Sequence, residues 1–496
     1  VSHSPYVFVF TDEDGDDRPE RQDTLFTGID GPDDDHGMHA FVFGPDGRYY
    51  FNFGNGGHQL MDRRGAPVVD QLGRPINNRG EPYRQGMAFR WDPDSSFVEV
   101  LGHNFRNNYE LTVDPFGTVW QSDNDDDGNR GTRINFVMEY GNYGYTDEMT
   151  GAGWRTRRPG MHEEVPRRHW HQNDPGVVPN LLQTGAGSPA GITFYTGTLL
   201  PDAFHNQLLH AEALQNVIRA YPARRAGAGY AAEMVDLLKS RDPWFRPSDV
   251  ATAPDGSVFV ADWYDPGVGG NKMDDIQRGR IYRLAPDVAS YEVPAFDLST
   301  PEGAVSALHN PNMDVFYQAW HRLRDWGVEA EAALLASWRS DDPHQAARAL
   351  WLLARLPGKT QQYIGEALRH PEPELRITGL RVARQLDAAN LLDYLAPAVR
   401  DQDPGVRREA AVALRHDGSE RASRLWADLA ARYDGADRWY LEALGIGADL
   451  HAAARFAAWK HQVGDDWNTP AGRHLIWRLR AEPTIALLTQ IIRDPQ

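Results

Sequence analysis

The sequence predicts a β-propeller followed by an α-α solenoid, and three observations predict it. Short strand pairs recur through the first part with one turn sentence, helical repeats recur through the second with one proline-marked step, and 496 residues exceed what a single hydrophobic core supports. The turn sentence appears in FVFGPDGRYYFNFG (41–54), LTVDPFGTVWQSD (111–123) and VATAPDGSVFVADW (250–263), each a strand, a P-x-G turn and a second strand. Further strand candidates are PYVFVFTDED, GMAFRWDP, AGITFYTG, QLLHAEALQNVIRAYP and GRIYRLAP. Many hairpins sharing one turn suggest radial repetition, because a propeller buries both faces of each hairpin and leaves only short edges; a β-sandwich is the alternative. The chain opens directly in a strand, which leaves room for a blade upstream of residue 1.

The grammar changes after the Pro-spaced linker APDVASYEVPAFDLSTPEG (285–303). We therefore expect a propeller domain over 1–295 and a solenoid over 296–496. ARALWLLARL, LRITGLRVARQL and VRREAAVALRH each place apolar residues at i, i+3 or i+4, and i+7, the stripe a buried helix face needs. Breakers containing Pro311, Pro343, Pro373 and Pro404 precede them at steps of 32, 30 and 31 residues. Proline at a helix start with this period resembles HEAT-like repeats. The closing TQIIRDPQ reads as the same breaker opening another repeat.

Composition removes several function classes. Seventy acidic against 51 basic residues, a formal charge of −19, make a nucleic-acid partner unfavourable. The absence of cysteine excludes disulfides, thiolate metal sites, a cysteine nucleophile and covalent c-type haem within these residues. No run approaches 18 uncharged apolar residues, so no membrane span is expected, and the N-terminus lacks a signal-peptide pattern. The chain reads as mature or clipped. Only four lysines occur, and Lys239 and Lys272 are the two before residue 300.

The densest chemistry lies in SDNDDDGNR (122–130). Asp123, Asp125, Asp127 and Gly128 fit the start of a D-x-D-x-D-G calcium loop, which needs oxygens at alternate positions and a glycine at the sharp turn. The fit stops at the ninth and twelfth positions, Gly131 and Ile134, so the loop is not an EF-hand. A second acidic loop supplies Asp12, Asp14, Asp16 and a twelfth-position Asp23, with Asp17 where glycine belongs. Both are candidate metal loops; the plainer reading of each is a solvated turn. In DDDHGMHAFVFGPDG (33–47), His36 and His39 precede a strand beside Asp33, Asp34 and Asp35. A histidine held by a carboxylate can take a proton at neutral pH, and two histidines can alternatively ligate a metal. In GHNFRNNYEL (102–111), Arg106 could clamp a carboxylate beside Asn107 and Asn108. His162, His169 and His171 form a third histidine group, in which an H-x-H read as strand would put two rings on one face.

These groups line up with a known pattern. His36 followed by GPDG and GNGG, then Arg106–Asn107, PFG, the acidic loop, Ile134–Asn135 and GNYGY resemble the soluble pyrroloquinoline-quinone (PQQ)-dependent glucose and aldose sugar dehydrogenases, which are six-bladed propellers. GPDGRYYF, DNDDDGNRGTRINFVMEYGNYGY, FRPSDVATAPDGSVFVADWYDP and GRIYRL, with helical repeats behind them, resemble the propeller-plus-HEAT "membrane-bound dehydrogenase" family of planctomycetes and relatives. The resemblance covers most of 1–295. Such proteins often continue into a cytochrome c domain, which this cysteine-free chain lacks.

The resemblance implies that His36 is the general base taking a hydroxyl proton while hydride passes to the quinone. It implies that Arg106 and Asn107 contact the quinone, and that the acidic loop falls where backbone carbonyls hold a calcium that polarises it. The family's partner carboxylate falls on Asn55, an amide, with Asp35 as a substitute; Lys272 is a further candidate for the quinone's carboxylates. The expected function is an extracytoplasmic, periplasmic or extracellular oxidoreductase acting on a sugar or polyol hydroxyl, with PQQ and calcium, and with a cytochrome c-type acceptor or partner protein on the solenoid. The alternatives are a metal-dependent carbohydrate lyase or hydrolase and a non-catalytic glycan- and protein-binding module.

Overall fold

The computed structural model describes residues 1–3, 5–28, 36–268, 277–287 and 290–493. Every strand candidate above is a strand. Five sheets form the propeller blades, antiparallel apart from the short parallel strand Gly141–Asn142 beside Glu99–Phe105; they are built around Tyr6–Thr11 and Arg21–Thr27, Met38–Phe43 to Glu99–Phe105, Leu111–Val113 to Leu182–Gly185, Pro189–Tyr195 to Val235–Lys239, and Pro247–Thr252 to Arg280–Leu284. The resemblance implies six blades; the described residues contain five such sheets, plus a two-stranded ribbon, Ala223–Ala226 with Gly229–Ala232. Helices begin at Pro343, Pro373 and Pro404, each proline in the first turn, where its missing N–H costs nothing. Asn312, one residue after Pro311, caps the helix Met313–Trp326 by accepting from the N–H groups of Asp314 and Val315.

The recurring P-x-G turn has a double use. Locally it reverses the chain, and its glycine takes the left-handed conformation, with φ of +77° at Gly47 and +83° at Gly117. It is also where the helices dock. The indole N–H of Trp320 donates to the carbonyl of Pro45 at 3.0 Å, that of Trp351 to Pro115 at 3.1 Å, and the Asn310 side chain to Pro254 at 2.9 Å. At Gly47 and Gly117 an added Cβ would lie 2.3 and 2.9 Å from the Trp320 and Trp351 rings, so the indoles pack where only glycine leaves room. Phe43 and Phe116 of the propeller share one buried apolar cluster with helix residues such as Trp320, Leu350 and Trp351.

The innermost strands Met38–Phe43, Leu111–Val113, Pro189–Tyr195 and Pro247–Thr252 run side by side around a central channel. A cavity of about 210 Å³ lies in it, walled by Val42, Thr112, Thr193 and Ala251 and closed at one end by Asn312, Phe316 and Arg348 of the helices. The turns sit at this closed end. Residues where inner strands begin and the next strands finish therefore gather at the opposite mouth.

Candidate functional site at the channel mouth

Four segments meet at that mouth. The residues around Gly54 bring His36 and Asn55 together: Gly54 N–H donates to Gly37 at 2.9 Å and Gly56 N–H to the His36 carbonyl at 3.1 Å. His36 Nδ1 lies 2.5 Å from Asn55 Oδ1. An amide oxygen only accepts, so this contact places the ring hydrogen on Nδ1 and the imidazole lone pair on Nε2. The Asn55 N–H donates to the carbonyl of Arg106 at 2.7 Å. A Cβ on Gly54 would meet Asn107 Oδ1 at 2.7 Å and the His36 carbonyl at 2.8 Å, which shows how closely the base candidate and the Arg106–Asn107 pair approach. His39 Nε2 lies 3.3 Å from Asn107 Oδ1, and its ring stacks on Tyr109 at 4.2 Å.

The acidic loop forms the third side. Its Asn124 N–H donates to the Asn107 carbonyl at 3.0 Å, and Asp123 Oδ1 accepts the Arg106 N–H at 3.2 Å. Asp126 holds the Arg106 side chain: Arg106 Nε donates to its Oδ1 at 2.8 Å, Tyr145 OH to the same oxygen at 3.1 Å, and Trp154 Nε1 to Oδ2 at 2.9 Å. These donors, with the neighbouring cations, hold the Asp126 carboxyl below its ordinary range against the opposing effect of burial. Arg106 Nη1 is buried and has no partner. An unpaired guanidinium N–H at a channel mouth suits a carboxylate of a bound anion, so on this observation the site fits a quinone bearing carboxylates.

The loop's own carboxylates point elsewhere. Asp123 Oδ2 receives Arg133 Nη2 at 2.7 Å and Nε at 3.0 Å, with both side chains fully buried. Burial pushes the Asp123 carboxyl up to about 6, Arg133 pulling against it. Asp125 accepts the Gly131 N–H at 2.5 Å and the Thr132 hydroxyl at 3.1 Å. Asp127 is exposed. Side-chain oxygens committed in three directions do not make a calcium cage, so the donor set of Asp123, Asp125 and Asp127 does not fit the ion. Among the described residues, the one group of three or more acids or histidines with converging ligand atoms is Asp12, Asp14, Asp16 and Glu20, on the exposed turn after Tyr6–Thr11. There Asp12 accepts the N–H groups of Gly15 and Asp17, which holds its carboxyl below the ordinary range. Asp35 and Lys272 lie outside the described residues.

The H-x-H segment is not a strand. Val165–His169 is a short helix and His171 follows in a turn with φ of +50°, so the two rings do not share a strand face. Both are buried, and burial lowers both pKa values, His169 to about 3. His162 lies partly exposed. Sequence reasoning missed Asp126, Tyr145, Trp154 and Arg133. The GNYGY run marked Tyr145 only as part of a pattern; nothing in the local sequence separates Asp126 from the three aspartates around it.

A second pair escaped notice because its members are 139 residues apart. Glu110 and Asp249 lie close together on the channel wall, and burial raises both carboxyls above their ordinary range. The surrounding protein and the neighbouring Asp249 charge push the Glu110 carboxyl well above its ordinary range. Gly191 passes between them, where a Cβ would lie 2.3 Å from Asp249 Oδ1 and 2.8 Å from Glu110 Oε2.

Fold and site thus define a β-propeller with a helical domain closing one end of its channel and a polar, arginine-bearing mouth at the other. Residues 1–287 match the family model described as a domain of unknown function, DUF7133, and the chain belongs to that family. The matched model carries no planctomycete dehydrogenase description. No curated protein matches the chain. Among solved structures, the PQQ-bound aldose sugar dehydrogenase of Streptomyces coelicolor is 18% identical, with 54% of this chain and 67% of that chain covered and a TM-score of 0.34. The holo PQQ domain of pyranose dehydrogenase from Coprinopsis cinerea is 17% identical over 53% and 75%, with a TM-score of 0.36. A putative oxidoreductase (glucose dehydrogenase) of Thermus thermophilus is 18% identical over 56% and 78%, with a TM-score of 0.33.

Proposed function

We propose that the propeller is an oxidoreductase that oxidises a hydroxyl of a sugar or polyol, with a quinone of the PQQ type held at the channel mouth. The observation that carries this reading is the meeting of the His36–Asn55 couple with Arg106, whose Nη1 is buried and unpartnered. His36 Nε2 takes the substrate hydroxyl proton, and Asn55 keeps the ring in the tautomer able to do so. Arg106, braced by Asp126, binds a carboxylate of the cofactor, and Asn107 sits beside it. The quinone, when bound, supplies the hydride acceptor. Because Asn55 carries no charge, the imidazolium formed at His36 lacks the stabilisation that a carboxylate would give, and this base is weaker than one paired with an acid. The acidic hairpin Asp12–Glu20 offers oxygen donors for a calcium-like ion that would order the turn. In this reading the enzyme is extracytoplasmic.

The test is reconstitution of the purified chain with quinone and calcium, followed by dye reduction over a broad panel of sugars and polyols. Turnover should appear and fall by at least about a hundredfold in His36→Ala. Absence of both quinone binding and dye reduction across the panel would overturn the reading.

One observation favours a second reading, a glycan-binding module. Tyr6, Phe8 and Phe10 form a continuous row of rings on the first sheet, with Tyr6 and Phe10 exposed. Aromatic faces of this kind suit sugar rings, and under this reading glycan binding is lost in Phe10→Ala and untouched in His36→Ala.

A further inference from the structure

The acid-rich loop at the mouth contains its own cation. Arg133 stands directly opposite Asp123 in the antiparallel register of Val119–Asp123 with Thr132–Val137, so the sheet itself delivers the guanidinium to the loop. The side chain is completely buried, and its environment is made for an organic cation. Two of its nitrogens grip Asp123 Oδ2, and Nη1 donates to the Tyr143 carbonyl at 2.9 Å and to Asn180 Oδ1 at 2.8 Å. The planar group lies over the Trp170 ring, 3.5 Å from its centroid. A metal ion has no use for an aromatic face; a guanidinium gains from it. The other oxygen of Asp123 receives the backbone N–H of Arg106, so one carboxylate joins the buried cation to the residue that faces the ligand.

We propose that the guanidinium of Arg133, in place of a bound divalent cation, is the positive charge around which SDNDDDGNR folds, and that through Asp123 it fixes the backbone from which Arg106 reaches the ligand. Arg133 is therefore a positioning residue. The second half of this inference rests on the reading of Arg106 as an anion-binding group; the first half does not.

Two measurements test it. The first uses terbium luminescence and calcium calorimetry on the chain carrying Asp12→Asn, Asp14→Asn and Asp16→Asn, which removes the exposed acidic hairpin as a competing site. The expected result is no saturable binding and no shift of Tm between calcium and chelator. Saturable binding that disappears on further changing Asp123→Asn overturns the proposal. The second compares PQQ binding, by fluorescence quenching, in the wild type, Arg133→Lys and the double variant Asp123→Leu/Arg133→Leu. Replacing a buried ion pair by apolar residues of similar size can leave stability nearly unchanged, so the double variant separates folding from positioning. We expect both variants to bind about tenfold more weakly, the usual cost of losing a partner that orients a ligand-binding group. Unchanged affinity in a folded double variant overturns the positioning role. Failure of the wild type to bind PQQ at all sinks the oxidoreductase reading instead, and leaves the terbium result to decide the identity of the cation.

Discussion

Trp351 donates its indole N–H to the carbonyl of Pro115 at 3.1 Å, joining the last turn of a helix, Pro343–Leu353, to the tip of a propeller hairpin. Trp320 repeats the contact one hairpin away, on Pro45. Since the receiving turns share one sequence sentence, two helices dock on successive hairpins through the same contact, and the channel's closed end lies beneath them.

Replacing Trp351 by Phe keeps most of the ring but leaves a buried carbonyl unpaired. We expect a loss of about 1–3 kcal/mol in urea unfolding, the range for an orphaned buried polar group. Gly117→Ala should cost at least as much, because the residue sits at φ +83° and its Cβ would meet the Trp351 ring at 2.9 Å. Wild-type stability in either variant would mean that the docking contact is dispensable.

Removal of the helical region should leave a propeller that does not stay in solution. Phe43 and Phe116 are 5% and 7% exposed only because helix residues cover them. A chain ending at residue 295 is expected to aggregate or bind a hydrophobic dye, as measured by light scattering and dye fluorescence. A monodisperse, cooperatively folding truncation would contradict this.

Glu212 gives a pH prediction with a definite sign. It is fully buried, Oε1 accepts from the N–H groups of Ser188 and Leu214, and Oε2 has no partner. Burial pushes its carboxyl up to about 7 from 4.5. A raised carboxyl pKa means that the folded state holds the proton more tightly than the unfolded one. Its contribution to stability is therefore complete below pH 4.5 and is lost as pH rises through 7. Glu212→Gln keeps an acceptor at Oε1 and removes the charge, so the Tm difference from wild type should grow in the variant's favour from pH 5 to pH 8.

The buried histidines act in the opposite direction. Burial lowers His103 and His309 to about 4, each from an ordinary 6.5. These groups are neutral in the fold, and the unfolded chain takes up their protons first. Stability tied to them is present above pH 6.5 and falls as pH drops from 6.5 towards 4. His103→Gln should flatten that part of the stability profile, followed by urea midpoints at half-unit pH steps.

Changing Asn55→Asp puts a negative charge 2.5 Å from His36 Nδ1 in the position now held by an amide oxygen. The His36 pKa should rise, since an adjacent opposite charge favours the imidazolium. Imidazole NMR titration reads this directly. An unmoved titration would show that the two side chains are not coupled in solution.

Much of the fold could be read from residue order alone. The hairpins, their P-x-G turns and the proline-started helices depend on neighbours within a dozen residues, where backbone conformation and periodic burial leave their mark on sequence. His36, Arg106 and Asn107 stood out as polar residues beside expected strands and Asn55 only through the family resemblance; the structure brings the four together. What the tertiary structure decided was the use of each charge. SDNDDDGNR looks like four equal acids, yet Asp123 faces Arg133, Asp125 faces its own loop, Asp126 faces Arg106 and Asp127 faces water. A carboxylate's chemistry follows from what lies within about 4 Å of it, where Coulomb and hydrogen-bond energies are largest. Arg133 comes from the next strand of the same sheet, whereas Arg106, Tyr145 and Trp154 come from more distant segments that only packing brings to Asp126. The channel itself, the Glu110–Asp249 pair on its wall and the helical floor beneath it follow from the same circumstance.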